Sequence, residues 1–144
     1  MIGQPDPPAP WIARLATIEA MTALMVARLL VATVRFGRWR ALLGTPCAVE
    51  AASTDLASWR DHYYARVVER AAQHLPFETL CLPRAMALKW MLTRRGRPAH
   101  LVLAVLPGGK RGGTLDDLHA WAEVGKTVLI GDNGQAYREI ARFL

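Results

Sequence analysis

The stretch CLPRAMALKWMLTRRG, residues 81–96, is the best delimited segment of the chain, and the fold is read outward from it. Pro83 suits a first helical turn, while Arg94, Arg95 and Gly96 supply basic residues for a last turn and a glycine stop. The pattern therefore predicts a helix that begins at Cys81. Its stripe of Cys81, Ala85, Leu88 and Leu92 is expected to pack on the segments C-terminal to it. Those segments read as sheet. His100 to Val105 (HLVLAV) is an apolar run of strand length, and the segment 107–117 is a loop rich in glycine and charge. Leu118 to Val124 and Thr127 to Asp132 form two further strand candidates around Gly125-Lys126. A glycine in the first loop position is what a two-residue type II′ hairpin requires. With Val124 opposite Thr127, counting outward brings His119 opposite Asp132. Residues so paired have Cβ atoms about 4.5–5.5 Å apart on one sheet face, near enough for a carboxylate to orient an imidazole.

Upstream of residue 81 the periodicity is helical. Leu15, Ile18, Met21, Met25 and Leu29 follow a three-or-four spacing, and Leu24, Leu30 and Val31 widen the stripe, so this helix is expected to be largely covered. Gly44, Thr45 and Pro46 end that segment. Trp59, Tyr63, Val67 and Ala71 mark one face of a second helix, with Pro76 at its exit. The expected fold class is α+β: N-terminal helices, then the Cys81 helix packed on a small antiparallel sheet. Residues 1–10 read as a flexible proline-rich tail and 11–144 as a single domain.

Composition bounds the function. The 144 residues, 52% hydrophobic, suffice for one domain with its own core. A formal charge of +6 implies a basic surface that attracts acidic partners, but no RNA-binding or helix-turn-helix signature accompanies it, and nucleic acid is not expected. Two cysteines make no disulfide framework, no CxxC or Cys/His pairing suggests zinc, and a reducing cytoplasm fits. The four histidines, at 62, 74, 100 and 119, are too scattered for a metal site, so neither metal nor cofactor is expected. The N-terminus lacks the basic n-region of a signal peptide. Between Trp11 and Val34 the charges Arg14, Glu19 and Arg28 each cost about 2.5–3.5 kcal/mol at mid-bilayer, so no membrane span is expected. The loop GGKRGGT lacks the GK-Ser/Thr and following helix of a phosphate-binding loop; its Lys110 and Arg111 are read as solvated or as a contact for an acidic peptide.

The chemistry resides in three residues. A thiol nucleophile acts as its thiolate, which the partial positive charge and free amides of a helix N-terminus favour, and Cys81 is placed there. Cys47, between Pro46 and Ala48, has no such setting and reads as a small buried hydrophobe. An imidazole at His119, oriented by Asp132, would hold the thiolate and later protonate a leaving amine. The amides of Cys81 and Leu82 are candidate oxyanion donors, and Pro83 removes one N–H. Read singly, Cys81 is also a packed helix residue, His119 a half-buried strand residue and Asp132 a turn former.

CLPRAMALKWMLTRRG, HAWAEVGKTVLIGD and the ending Ala141-Arg142-Phe143-Leu144, together with the upstream EAMTALMVARLL and FGRWRALLG, resemble the transglutaminase-like cysteine peptidases of lasso-peptide biosynthesis, in their stand-alone form. The resemblance runs from about Ile12 onward. It implies a papain-like or transglutaminase-like fold and a peptidase that removes the leader from a ribosomally made precursor. Cys81, His119 and Asp132 match that family's catalytic positions in turn. It further implies a separate leader-binding protein as partner, because helices fill the chain before Cys81, and an ATP-dependent lasso cyclase acting on the freed amine. Open beside it stand a peptidase or amidase on other peptides, an acyl-transferase of the transglutaminase kind, and a silent peptide-binding scaffold.

Overall fold

The computed structural model describes residues 6–48, 54–106, 118–132, 134 and 136–144, apart from the Phe36 side chain. The expected tail over residues 1–5 and the loop 107–117 with Lys110 and Arg111 lie outside the described residues.

Residues 6–9 carry no regular structure, and α1 spans Pro10–Thr33 with proline at its first position, where a missing N–H costs nothing. A short α2 (Phe36–Trp39) and a 3₁₀ turn (Arg40–Leu43) lead into β1 (Pro46–Cys47). Helix α3 (Trp59–His74) opens on a capping box in which Ser58 and Asp61 exchange side-chain-to-backbone hydrogen bonds. Helix α4 covers Cys81–Arg94, the span its sequence predicts, and β2 (Ala99–Val105), β3 (Leu118–Val124), β4 (Thr127–Ile130) and β5 (Arg138–Phe143) complete the order. The sheet order is β1-β5-β2-β3-β4, with antiparallel pairing throughout. The architecture is therefore the expected α+β one, with helices on an antiparallel sheet. Two strands go beyond the expectation: the edge strand β1, and β5, which inserts between β1 and β2.

Helices α1, α3 and α4 pack on one another, and α4 lies against β2, β3 and β4. Successive strand residues point to opposite faces. Ala99, Leu101, Leu103, Ala120, Ala122 and Val124 join Leu88 and Leu92 of α4 in one buried cluster. His100, Val102, His119, Trp121 and Glu123 thus belong to the other face.

Two expectations fail. Helix α1 is not largely covered. Ala16, Ala20, Leu24 and Ala27 are buried, small residues mostly, which allow a close approach to the helices behind them. The outward arc of Leu15, Ile18, Met25 and Leu29 stays 47–60% exposed. By length and composition α1 is long and apolar enough to cross a membrane, with 22% of its most apolar window buried. It is tied to α4 through Glu19, whose carboxylate receives Arg95 at 2.7 Å and Arg94 at 3.2 Å.

The second correction concerns the β3–β4 hairpin. Gly125 has φ +61, as the first position of a primed turn requires, and Val124 pairs with Thr127 as counted. The register then slips between Glu123, which pairs with Val128, and Ala122, which pairs with Ile130. A bulge of this kind inserts one residue into one strand, so outward counting fails beyond it. His119 and Asp132 are not directly opposed, and β4 ends at Ile130 rather than Asp132.

Candidate active site

Cys81 is the first residue of α4, half-buried and packed against the core. The N-cap residue is Leu80, whose side chain offers no acceptor. Unlike α3, this helix therefore begins without a side chain satisfying its first amides, which leaves the N–H groups of Cys81 and Leu82 for a bound group. Arg84, one turn in, is held by Glu69 at 2.9 Å and by Thr79 at 3.2 Å.

Helix and strand lengths relate Cys81 to His119. Helix α4 runs about 21 Å and β2 about 23 Å, joined by only four residues, Arg95 to Pro98. The chain therefore doubles back, and the start of α4 lies level with the end of β2. There Ala104 pairs with His119. Cys81 and His119 thus occupy the same end of the helix–sheet layer. No hydrogen bond joins Sγ to the imidazole, and strand alternation sets His119 on the face it shares with Trp121 rather than the face packed on α4.

His119 and Asp132 line one cleft of about 290 Å³ with Trp121, Val128, Gly131, Ala136 and Tyr137. The imidazole Nε2 lies 2.5 Å from the Gly131 carbonyl oxygen. The Tyr137 ring stacks on the imidazole with centroids 4.5 Å apart and planes 18° apart, and Trp121 approaches at 6.1 Å. The Asp132 Oδ1 accepts from the backbone N–H of Gly134 at 3.0 Å. This is the Asx-type turn that aspartate forms two residues ahead of itself. The structure thus brings His119 and Asp132 to one cleft without a hydrogen bond between them.

Gly131 is what the bulge requires. Its φ is +96, and a Cβ there would sit 2.7 Å from the Ala120 carbonyl oxygen and 2.9 Å from the Trp121 Cβ. Only glycine lets the chain leave β4 so close to β3. Sequence reasoning missed both Gly131 and Tyr137 as neighbours of His119. A glycine directly after an apolar strand was the available signal for the first.

Behind Trp121 the same sheet face holds a buried ionic network. Trp121 Nε1 donates to Glu123 at 3.0 Å, Glu123 pairs with Arg142, and Arg142 also reaches Glu139 at 2.6 Å. His100 is buried beside it, with Nδ1 lacking a partner. Among the described residues no cluster of His, Cys, Asp and Glu suits a metal ion.

Helices packed on a small antiparallel sheet, with a cysteine at the start of the helix that lies against it, make an α+β protein of the transglutaminase-like kind. The chain belongs to the transglutaminase-like superfamily, whose family profile matches residues 21–142 and so spans Cys81, His119 and Asp132. No curated protein and no solved structure matches it. Domains of this superfamily are usually cysteine-type enzymes, peptidases or acyl-transferases.

Proposed function

We propose that this chain is a cysteine peptidase that removes the leader from a ribosomally made lasso-peptide precursor in the cytoplasm. What supports the chemistry is Cys81 at a helix start without a side-chain cap, in a chain of the transglutaminase-like superfamily whose profile also spans His119 and Asp132. The Cys81 thiolate attacks the scissile carbonyl, and the amides of Cys81 and Leu82 stabilise the oxyanion. His119, having taken the thiol proton, returns it to the leaving amine. Water then attacks the thioester, gives a proton to the imidazole, and releases the acid and the thiol. Asp132 belongs to this set through the turn it forms beside His119.

The lasso-peptide assignment rests on the sequence resemblance. Its partners are a separate leader-binding protein and the ATP-dependent cyclase that consumes the freed amine. A docking surface for the leader-binding protein is supported by the outward arc of α1 and a groove of about 450 Å³ where Leu15, Ile18 and Val26 face Trp90 and Met91 of α4. Binding energy gathered remote from the scissile bond would raise turnover.

The test incubates purified protein with its precursor, with and without the leader-binding protein, and monitors products by mass spectrometry. Cleavage is expected to be slow alone and to rise about tenfold or more with the partner, within what proximity allows. Cys81→Ala is expected to remain folded and inert; a folded Cys81→Ala protein that still cleaves would remove the cysteine chemistry. Full speed without the partner would remove the split-system reading alone.

A further inference from the structure

Resting on the split-system reading for the partner's identity alone, we infer that the outward face of α1 is a coiled-coil seam and that the element it takes is an acidic amphipathic helix of the partner protein. Trp11, Leu15, Ile18, Met25 and Leu29, with Thr22 among them, stand at alternating steps of four and three. That is the 3.5-residue spacing of a seam that packs knobs into holes on a facing helix. All six are exposed, the five apolar ones by 47–64%. The row runs along about 27 Å of helix. On one side it borders the groove where Val26 of α1 faces Trp90 and Met91 of α4, so a helix laid on the seam touches both elements. A bilayer surface rewards apolar area at any spacing. The 3.5-residue period is what a facing helix needs.

Charge selects among helices. Arg14 stands exposed on one flank of the seam, and among the described residues no carboxylate pairs with it. Arg94 lines the groove on the other flank, with its side chain 73% exposed. Glu19 is the one acid of α1, and Arg94 and Arg95 already hold it. Residues flanking such a seam set partner choice by opposite charge, so the occupant carries Glu or Asp beside its apolar rows. A second copy of this chain fails that condition. Two α1 helices face to face bring the same arginines, no free carboxylate, and a charge of +6 from each chain.

The probe is a helical peptide of three heptads with leucine at the seam positions and glutamate on both flanks, labelled with fluorescein and titrated with the whole chain while its anisotropy is read. Its twin carries lysine in place of glutamate. The glutamate peptide is expected to bind about tenfold tighter than the lysine peptide at about 50 mM salt, and the gap should narrow at about 500 mM. Ile18→Glu and, separately, Leu29→Glu bury a charge in the seam and should each weaken the glutamate peptide about tenfold or more. Arg14→Glu should weaken the glutamate peptide and strengthen the lysine one. The two seam positions are exposed and independent, so misfolding of one variant, seen by circular dichroism, leaves the other to decide. Equal binding of the two peptides, binding indifferent to both seam variants, or no binding would overturn the inference. So would a parent that sediments as a dimer which Ile18→Glu dissociates, because a second copy would then cover the seam. A parent that ignores the peptide and floats with phosphatidylglycerol vesicles would give the face to a bilayer instead. The readout needs no cleavage. A chain that binds the glutamate peptide and cuts nothing keeps the seam and discards the peptidase reading, and a chain that cuts its precursor and ignores the peptide does the reverse.

Discussion

At the residue scale the two cysteines are separated by their surroundings. Cys47 sits in the edge strand β1, where its Sγ donates to the Arg142 carbonyl at 3.5 Å. Its thiol is engaged with β5 and has no helix start behind it. Cys81 faces uncapped amides. Cys47→Ala is therefore expected to keep most of the turnover that Cys81→Ala abolishes, and alkylation of Cys81, located by peptide mapping, should parallel the loss of activity. Inactivation that tracks Cys47 instead would reverse the assignment. Cys81 and His119 were legible because their positions depend on local patterns, a proline-and-glycine-bounded helix and an apolar strand. The His119–Asp132 pairing was not. Regular counting across Gly125-Lys126 is right as far as Glu123, and the bulge beyond it is not encoded by the two-residue turn. The Gly131 carbonyl and the Tyr137 ring come from backbone placement and chain return, and neither leaves a spacing signature.

At the element scale α3 depends on a buried charge. Asp61 is fully buried at the first turn, receives the Ser58 backbone N–H at 2.8 Å, and takes Arg97 through two contacts of 2.8 and 2.9 Å. Burial alone would push its carboxyl upward; the Arg97 and Ser58 hydrogen bonds outweigh that and hold it below the usual carboxylate value. A depressed folded pKa means stability that is present above the unfolded value and lost as pH falls through the folded one. Ser58→Ala, removing half of the capping box, is expected to cost about 1 kcal/mol. Arg97→Leu leaves the carboxylate buried and unpaired and should cost about 3–5 kcal/mol at neutral pH. The second deficit should shrink on acidification, because the stranded carboxyl, its burial no longer offset by Arg97, protonates at a higher pH than the paired one. Urea midpoints at pH 7 and pH 3.5 check both; an Arg97→Leu deficit that is equal at the two pH values would show that the ion pair is not its source. Helix α4 was legible at both ends, starting at Cys81 and stopping one residue short of the Arg95 placed in its last turn, whereas β5 was not. Arg138-Glu-Ile-Ala-Arg-Phe carries charges on both parities, so no alternation marks it as a strand. Its Arg142 is buried because Glu123 and Glu139 meet it across the sheet and across a bulge, a pairing visible only once the strands are assembled.

At the scale of the whole molecule the sheet has one apolar face under the helices and one face whose buried core is ionic, and the second sets how the fold responds to acid. His100, on β2 opposite Glu123, is 3% exposed, and its Nδ1 has no partner. Burial pushes its pKa down, Arg142 and, less, Lys89 push the same way, and Glu123 and Glu139 oppose them without prevailing. The native state therefore binds a proton less readily than the unfolded chain, whose histidine titrates near 6.5. Stability is complete above that value and falls as pH drops from about 6.5 toward the folded pKa, because the unfolded state takes up the proton first. His100→Leu keeps similar bulk and removes the titrating ring together with its unpartnered nitrogen. The variant is expected to exceed the parent at pH 5.5, and its advantage should shrink toward pH 7.5, whatever the remaining histidines contribute to both. Urea unfolding of parent and variant at half-unit intervals across that range measures the difference. A parent that gains on the variant as pH falls would mean that His100 is protonated within the network and serves Glu123 and Glu139 as a third cation beside Arg142, and a constant offset would mean that the ring binds a proton equally well in the folded and unfolded chain.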